Sequence, residues 1–397
     1  MEKWIPSWRS VPIDYNNEVA SFEDITQIST FLNNLKGETV KVRFCNRYND
    51  QPMSIAHAAL ALRNRVTGRL SARMTLTLNG KEEIALAPDT QVYSDEVCFP
   101  VTEEDDFLVS LYFREKTSVR TVCATWAAYT WQSAHFTGDF TQTDALGFTM
   151  KPKLAPGMAA DPYPNQFVAG ISDISVLTDG SAKLIAAFGD SITHMSYFSD
   201  PLTVMLYEKF PGKCAVINGG ICGNRLQKSF PATPMPGGGH QFGIAGKDRF
   251  LQDLYQDACP DYVFLMEGVN DCSHSLVFQE ETVPGAEDIY AAARQIADTA
   301  KSYGSTFYLT TITPFGAAGA PWRDAAEAIR CAYNDLIRTG SVGDDWIDLD
   351  QVMRDPDDPH KMQAAMHFGD GVHPNWAGGT KMAKAVFAKW FAGREAL

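Results

Sequence analysis

The sequence predicts two domains of different class: an all-β sandwich over residues 1–180, then an α/β domain of three layers over residues 181–397. Three observations predict this. Short runs with a period of two fill the first 180 residues. From residue 184 onward, apolar strand-like runs alternate with segments of helical spacing. The turn sequence Thr178-Asp179-Gly180 separates the two patterns. A chain of 397 residues also exceeds one ordinary domain and suits two.

In the first part, Val40, Val42 and Phe44 alternate with Lys41, Arg43 and Cys45, which predicts a strand. Met74, Leu76 and Leu78 lead into Asn79-Gly80, and Ile84 and Leu86 follow, a hairpin signal. Phe107, Val109, Leu111 and Phe113 predict a half-buried strand, and Thr121 to Tyr129 another. Short strands at regular spacing point to a sandwich. The stretch from Lys151 to Gln166, with Pro152, Pro156, Pro162 and Pro164, reads as a long loop. Val168 to Leu177 still reads as a strand, so the domain boundary is placed near residue 180.

In the second part, strands are predicted at Leu184–Phe188, Ala215–Asn218, Tyr262–Met266, Thr306–Thr311 and Trp346–Leu349. Helices are predicted near 201–210, 246–257, 286–303, 321–339 and 376–391. Ile289, Ala293, Ile296, Ala300 and Tyr303 keep helical spacing, as do Met382, Val386 and Trp390 behind the N-cap candidate Asn375. This alternation predicts a parallel sheet covered by helices on both faces. Sites in such sheets form outside the carboxyl ends of the strands. Ser191, Gly220 to Gly223 and Asn270 each follow a predicted strand and fall on that edge.

Composition narrows the function. Hydrophobic residues make up 45% and charged residues 21%, a globular balance. The net charge of −14 argues against nucleic acid and against an anionic membrane surface as partners. A neutral or cationic small substrate, or an oligosaccharide, is easier to accommodate. No apolar stretch reaches the roughly 18–20 residues that span a bilayer, and the first residues carry no signal-like apolar region. The expected location is the cytoplasm, with a homo-oligomer left open. The eight cysteines form no C-x-x-C pair and read as reduced, mostly buried small hydrophobes, so no metal is expected.

Chemistry concentrates at the strand ends. An apolar run ends in Gly189-Asp190-Ser191, which places a serine hydroxyl where a buried strand breaks into a loop. Such a hydroxyl is a weak nucleophile until a base takes its proton. Of eight histidines, His373 suits best, because Asp370 lies three residues before it on one turn and can set its tautomer. His194 is nearer in sequence, but its neighbourhood offers only Asp190, which is expected to brace the serine loop. Donors for a developing oxyanion are the backbone N–H of Ser191, the side-chain amide of Asn270 and a glycine N–H within Asn218 to Arg225. Each motif alone has a plainer reading: Ser191 as a helix cap, Asp370 and His373 as a surface turn or metal fragment, Asn270 as a turn residue. Their shared edge of one predicted sheet favours the chemical reading.

These residues resemble the SGNH, or GDSL, hydrolase superfamily. Four marker blocks occur in order: Gly189-Asp190-Ser191-Ile192-Thr193, Ile221-Cys222-Gly223-Asn224-Arg225, Gly268-Val269-Asn270-Asp271 and Asp370-Gly371-Val372-His373-Pro374. The resemblance spans residues 184–391 and implies a flavodoxin-like three-layer α/β/α hydrolase domain. It implies Ser191 as nucleophile, His373 and Asp370 as its triad partners, and Ser191, Gly223 and Asn270 as the oxyanion hole, with no cofactor. The first part is similar to the β-sandwich that precedes this domain in some bacterial carbohydrate acetylesterases, with Val40 to Tyr48 similar to a strand found there. Two departures bear on substrate choice: His194 to Phe198 after the serine, and a glycine-rich loop from Pro234 to Gly246 containing His240.

The expected function is a serine esterase that removes small acyl groups, acetyl from sugars or oligosaccharides. One alternative is a lipase, thioesterase or lysophospholipase, which the lack of a Leu- and Phe-rich amphipathic lid disfavours. Another is a sugar-binding protein with an inactive esterase domain. Trp126, Tyr129 and Trp131 could then stack on sugar rings, although tryptophan in a sandwich more often fills the core.

Overall fold

The computed structural model describes residues 1–143, 166–230, 233, 236–316 and 320–397. The prolines 152, 156, 162 and 164 of the expected loop lie outside the described residues. The chain divides into two compact units, Met1–Ala182 with Pro211–Ala215, and Lys183–Phe210 with Val216–Leu397.

The first unit is built on two antiparallel five-stranded sheets. One orders Lys3–Arg9, Gly170–Thr178, Gly37–Cys45 and Gln91–Tyr93, with Val97–Val101 also on Gly37–Cys45. The other orders Trp131–Thr137, Ile25–Phe31, Asp105–Phe113, His57–Asn64 and Met74–Thr75. The Trp8 ring meets Phe31 at 4.4 Å and Trp131 at 5.8 Å, so the sheets face each other across an aromatic core. Trp131 is therefore core, 6% exposed, whereas Tyr129 is 59% exposed.

Two local expectations change. Asp105–Phe113 is not half-buried but buried from Asp106 onward, because it pairs on both sides and its second face is covered. Leu108 on that face packs with Ile28, Ala61 and Phe136. The Asn79-Gly80 turn forms, with φ of 54° and 75° and paired hydrogen bonds between Leu78 and Lys81. Its flanks do not pair further: Met74–Thr75 joins His57–Asn64, and Ile84–Leu86 joins Met53–Ile55. The Asp95 carboxylate holds this turn by accepting from the N–H groups of Asn79 (3.0 Å) and Gly80 (2.7 Å) and from the Thr77 hydroxyl (2.6 Å).

The second unit contains the strands β1 (Lys183–Gly189), β2 (Cys214–Gly220, apart from its first two residues), β3 (Tyr262–Met266), β4 (Thr306–Thr310) and β5 (Asp345–Ile347). Their order is 2-1-3-4-5, the flavodoxin-like arrangement. The pairs β1·β3, β3·β4 and β4·β5 are parallel. Leu184 to Phe188 are all fully buried, as a strand covered on both faces requires. The main helices are α1 (Ser199–Lys209), α2 (Gly246–Leu254), α3 (Val269–Val277), α4 (Ala286–Ser302), α5 (Arg323–Thr339) and α6 (Trp376–Trp390). α1 packs on α6, while α4 packs on α5 and α2, giving the two outer layers. Among the described residues no helix is long and apolar enough to cross a membrane.

Asn375 begins α6 as expected. Its Oδ1 accepts from the Gly378 N–H at 3.1 Å, and its Nδ2 donates to the carbonyls of Ala365 and His367, each at 3.0 Å. The cap therefore also ties down the loop that carries Asp370 and His373. Asn375→Ala is expected to cost roughly 1–2 kcal/mol of stability, through the lost cap and the freed carbonyls. Urea unfolding monitored by circular dichroism checks this, and an unchanged midpoint would remove the anchoring role.

Candidate active site

Ser191 stands just past β1, at the head of a single helical turn, Ser191–His194. Asp190 caps that turn, its Oδ1 accepting from the Ile192 N–H at 3.0 Å. The capping group is thus the aspartate, which leaves the serine hydroxyl for another partner. Ser191 Oγ lies 2.8 Å from His373 Nε2, and His373 Nδ1 lies 2.6 Å from Asp370 Oδ2. Asp370 Oδ1 accepts from the N–H groups of Val372 (2.9 Å) and His373 (3.0 Å), closing its own turn.

Burial alone would raise the Asp370 carboxyl. The hydrogen bond and charge of His373, with the two backbone N–H groups, outweigh burial and hold it well below the usual carboxylate range. Asp370 therefore stays ionised wherever an imidazole titrates, and it holds the proton of a neutral His373 on Nδ1. Nε2 then faces the serine as an acceptor.

The turn is braced by His367, which sequence reasoning passed over. Its Nδ1 accepts from the N–H groups of Gly369 (2.9 Å) and Gly371 (3.0 Å). Both glycines have positive φ, 105° and 75°. Tyr197, in the segment after the serine, packs edge-on against Phe368 at 4.8 Å. The backbone after Ser191 and the loop before His373 are thereby joined. His194, the other candidate base, is buried, and its Nδ1 accepts the Cys222 N–H at 3.0 Å. Burial also pushes the Cys222 thiol far up, so it offers no thiolate beside the serine.

The predicted oxyanion donors sit on three segments that follow strands: the helical turn at Ser191, the loop at Gly223 and the first turn of α3 at Asn270. The N–H of Ile221 donates to Gly189 O at 3.0 Å, which docks the second marker segment on the serine segment. Gly223 has φ of 73°, and a Cβ there would lie 2.1 Å from the Phe242 ring. Asn270 is not in a turn: it is the second residue of α3, a helix absent from the sequence-based assignment. Its Nδ2 donates one hydrogen to Asn224 O at 2.9 Å, leaving a second hydrogen for an acceptor. Asp271 accepts from the N–H groups of Leu226 (2.7 Å) and Gln227 (2.8 Å), fixing the chain that leaves Gly223. Ser191, Gly223 and Asn270 are thus tied together through Gly189 and Asn224.

Three buried carboxyls lie behind this edge. Burial pushes Asp190 and Asp271 each up to about 6, and Glu267 further. The cation beside Glu267 is Arg249, at 4.0 Å, which also pairs with Asp253 at 2.9 Å, whereas Arg225 is the cation that acts on Asp271. Elsewhere, Glu327, Cys331 and His360 offer ligand atoms within 4.8 Å of one another. Arg330 binds both oxygens of Glu327, and His360 Nδ1 lies 2.8 Å from one of them.

The glycine-rich loop lies over the second marker segment. Gly237, Gly238 and Gly239 all have positive φ, and His240 stacks on Phe230 at 4.4 Å. Asn224 Nδ2 donates to the carbonyls of Phe242 (2.6 Å) and Ile244 (2.9 Å). Phe242 also approaches His274 at 5.5 Å, and burial pushes that imidazole down to about 4, so it is neutral at pH 7.

Residues 187–380 match the model of the GDSL-like Lipase/Acylhydrolase family. No curated protein sequence matches the chain. Among solved structures, the chain is similar to an acetylxylan esterase from Geobacillus stearothermophilus at 20% identity and a TM-score of 0.40. That match covers 55% of this chain and 98% of the other. It is similar to an alpha/beta hydrolase enzyme from the metagenome of Lake Arreo, Spain, at 19% identity and a TM-score of 0.39, covering 52% and 94%. A putative acylhydrolase from Bacteroides fragilis is 19% identical with a TM-score of 0.35, covering 53% and 88%.

Gly223→Ala is expected to destabilise the second unit by roughly 1–3 kcal/mol, since the new methyl group meets Phe242 and the left-handed φ is strained. Adding Phe242→Ala should recover the steric part and leave the backbone part. Urea unfolding of the single and double variants measures both, and equal loss in the two would show that the ring does not press on Gly223.

Proposed function

We infer that the GDSL-like lipase/acylhydrolase domain carried by residues 187–380 is a serine esterase acting on small acyl esters, with acetyl on a sugar or oligosaccharide as the expected substrate. The observation that carries this reading is the hydrogen-bonded chain from Ser191 through His373 to Asp370 at the carboxyl edge of the sheet. Nucleophile, base and orienting carboxylate are in contact before any substrate arrives.

In the reaction, Ser191 Oγ attacks the ester carbonyl while its proton passes to His373 Nε2. The oxyanion of the tetrahedral intermediate takes hydrogen bonds from the Ser191 N–H, the Gly223 N–H and the second amide hydrogen of Asn270. Removing one such donor typically costs about 3 kcal/mol of transition-state stabilisation. The carbonyl re-forms, the alcohol leaves with the proton from His373, and an acyl-serine remains. A water then gives its proton to His373 and attacks that ester, and collapse releases the carboxylic acid and restores Ser191. Asp370 keeps the imidazole in the accepting tautomer and offsets the charge of the imidazolium.

The preference for a short acyl chain rests on the lack of a Leu- and Phe-rich amphipathic lid in the sequence. The net charge of −14 supports a neutral substrate over an anionic one.

Two measurements test this. Acetate release from acetylated xylo- and manno-oligosaccharides, beside 4-nitrophenyl acetate and octanoate, is expected from the wild type on the acetyl substrates. It should be lower by several orders of magnitude in Ser191→Ala. Turnover of the octanoyl ester alone would redirect the assignment to a lipase-like enzyme, and serine-independent turnover would sink the mechanism. Asp370→Asn is expected to lower kcat roughly 10²–10⁴-fold with the fold intact, because the amide presents N–H to His373 and favours the wrong tautomer. Retained kcat in that variant would remove Asp370 from the triad.

A further inference from the structure

Arg249 lies on α2, outside the four marker segments, and its side chain is almost wholly buried. Its guanidinium is spread over three different parts of the site. Nε donates to Asn224 Oδ1 at 2.8 Å, Nη1 to Gly219 O at 2.8 Å, and Nη2 to Gly189 O at 2.9 Å. Nη1 also meets Asp253 Oδ2 at 2.9 Å, and the guanidinium carbon sits 4.0 Å above the Phe188 ring.

Two of these acceptors are next to, or two residues from, a group of the reaction, and the third lies four residues before one. Gly189 ends β1 two residues before Ser191. Gly219 lies in β2, whose exit runs into Gly223. Asn224 follows Gly223 directly, and its carbonyl accepts the Asn270 amide. One planar, rigid group therefore sets the spacing between the segments that carry all three oxyanion donors. A lysine cannot reproduce this, because an ammonium is a point charge without a fork.

We propose that Arg249 is a positioning residue that holds the Ser191, Gly223 and Asn270 donors in the geometry the oxyanion requires. The inference rests on the esterase reading above. The donors act on charge that exists only in the transition state, so their displacement lowers kcat and leaves KM nearly unchanged. His373 and Asp370 lie on a different turn with hydrogen bonds of their own. Loosening the donors therefore leaves the acid limb of the pH profile in place, whereas a general loss of structure moves it.

The test compares wild type, Arg249→Lys, Asp253→Asn, Asn224→Ala and Asn224→Asp on 4-nitrophenyl acetate. Phenylboronic acid serves as a tetrahedral mimic, and folding is followed by circular dichroism. Arg249→Lys is expected to lose about 10²-fold in kcat, the size of one or more lost donors. KM should stay within about threefold, boronate affinity should fall in parallel, and the acid limb should not move. Asp253→Asn removes only the counter-charge and should stay near wild type. Arg249→Lys with wild-type kcat, a moved acid limb, or an equal loss in Asp253→Asn overturns the proposal. Where Arg249→Lys does not fold, Asn224→Ala compared with Asn224→Asp decides, since both lose the donation to the Phe242 and Ile244 carbonyls while only the aspartate keeps an acceptor for Arg249 Nε; a kcat about tenfold below that of Asn224→Asp at unchanged KM supports the proposal and equal kcat in the two overturns it. Wild type without Ser191-dependent turnover overturns the esterase reading itself, and this inference with it.

Discussion

A serine hydroxyl gains nucleophilic character only where a neutral imidazole can take its proton, and here the 2.8 Å bond from Ser191 to His373 spans 182 residues of chain. Most of the second unit's local detail serves that meeting. β1 delivers Ser191 to the carboxyl edge of the sheet, and the Asp190 cap frees the serine side chain. α6 begins three residues after His373 under its Asn375 cap, so the loop carrying the imidazole is anchored to a helix whose inner face buries Met382, Ala383, Val386 and Trp390. His367 and the left-handed Gly369 and Gly371, on either side of Asp370, shape the loop that leads to His373.

Backbone polar groups at strand ends are the second constraint. Strands that stop at a buried edge leave carbonyl oxygens needing donors. At this edge Gly189 O takes the Ile221 N–H and an Arg249 nitrogen, and Gly219 O takes another. The same bonds that satisfy these carbonyls join the segments bearing Ser191 and Gly223. Structural satisfaction and catalytic geometry are served by one set of contacts, which is why the buried cation lies behind the site rather than in it.

The first unit follows a different logic. Two antiparallel sheets bury an aromatic core around Trp8, Phe31 and Trp131, and its turns are held by side chains such as Asp95. The chain needs no special chemistry to build it. A tryptophan read as a possible sugar platform is spent on packing, because a flat ring of that size is the most effective filler between two sheets.

Legibility followed the range of the interactions. The strand-helix alternation, the β1 run ending at Ser191, the Asn375 cap and the Asp370–His373 spacing are local patterns. Each could be read because period, cap and turn depend on neighbours within a few residues. The helix at Val269–Val277 was missed, since Asn-Asp at its start has the chemistry of a turn, and its packing on α5 is a long-range contact that no local pattern announces. The Arg249 fork, the Phe242 ring on Gly223 and the His367 brace have no sequence signature, as they join positions brought together only when the sheet is assembled. The sequence by itself determined the fold class and nominated the reacting groups. Only the tertiary structure decided which acceptors bind the buried guanidinium and how little room lies beside Gly223, because burial and long-range hydrogen bonding exist only in the packed chain.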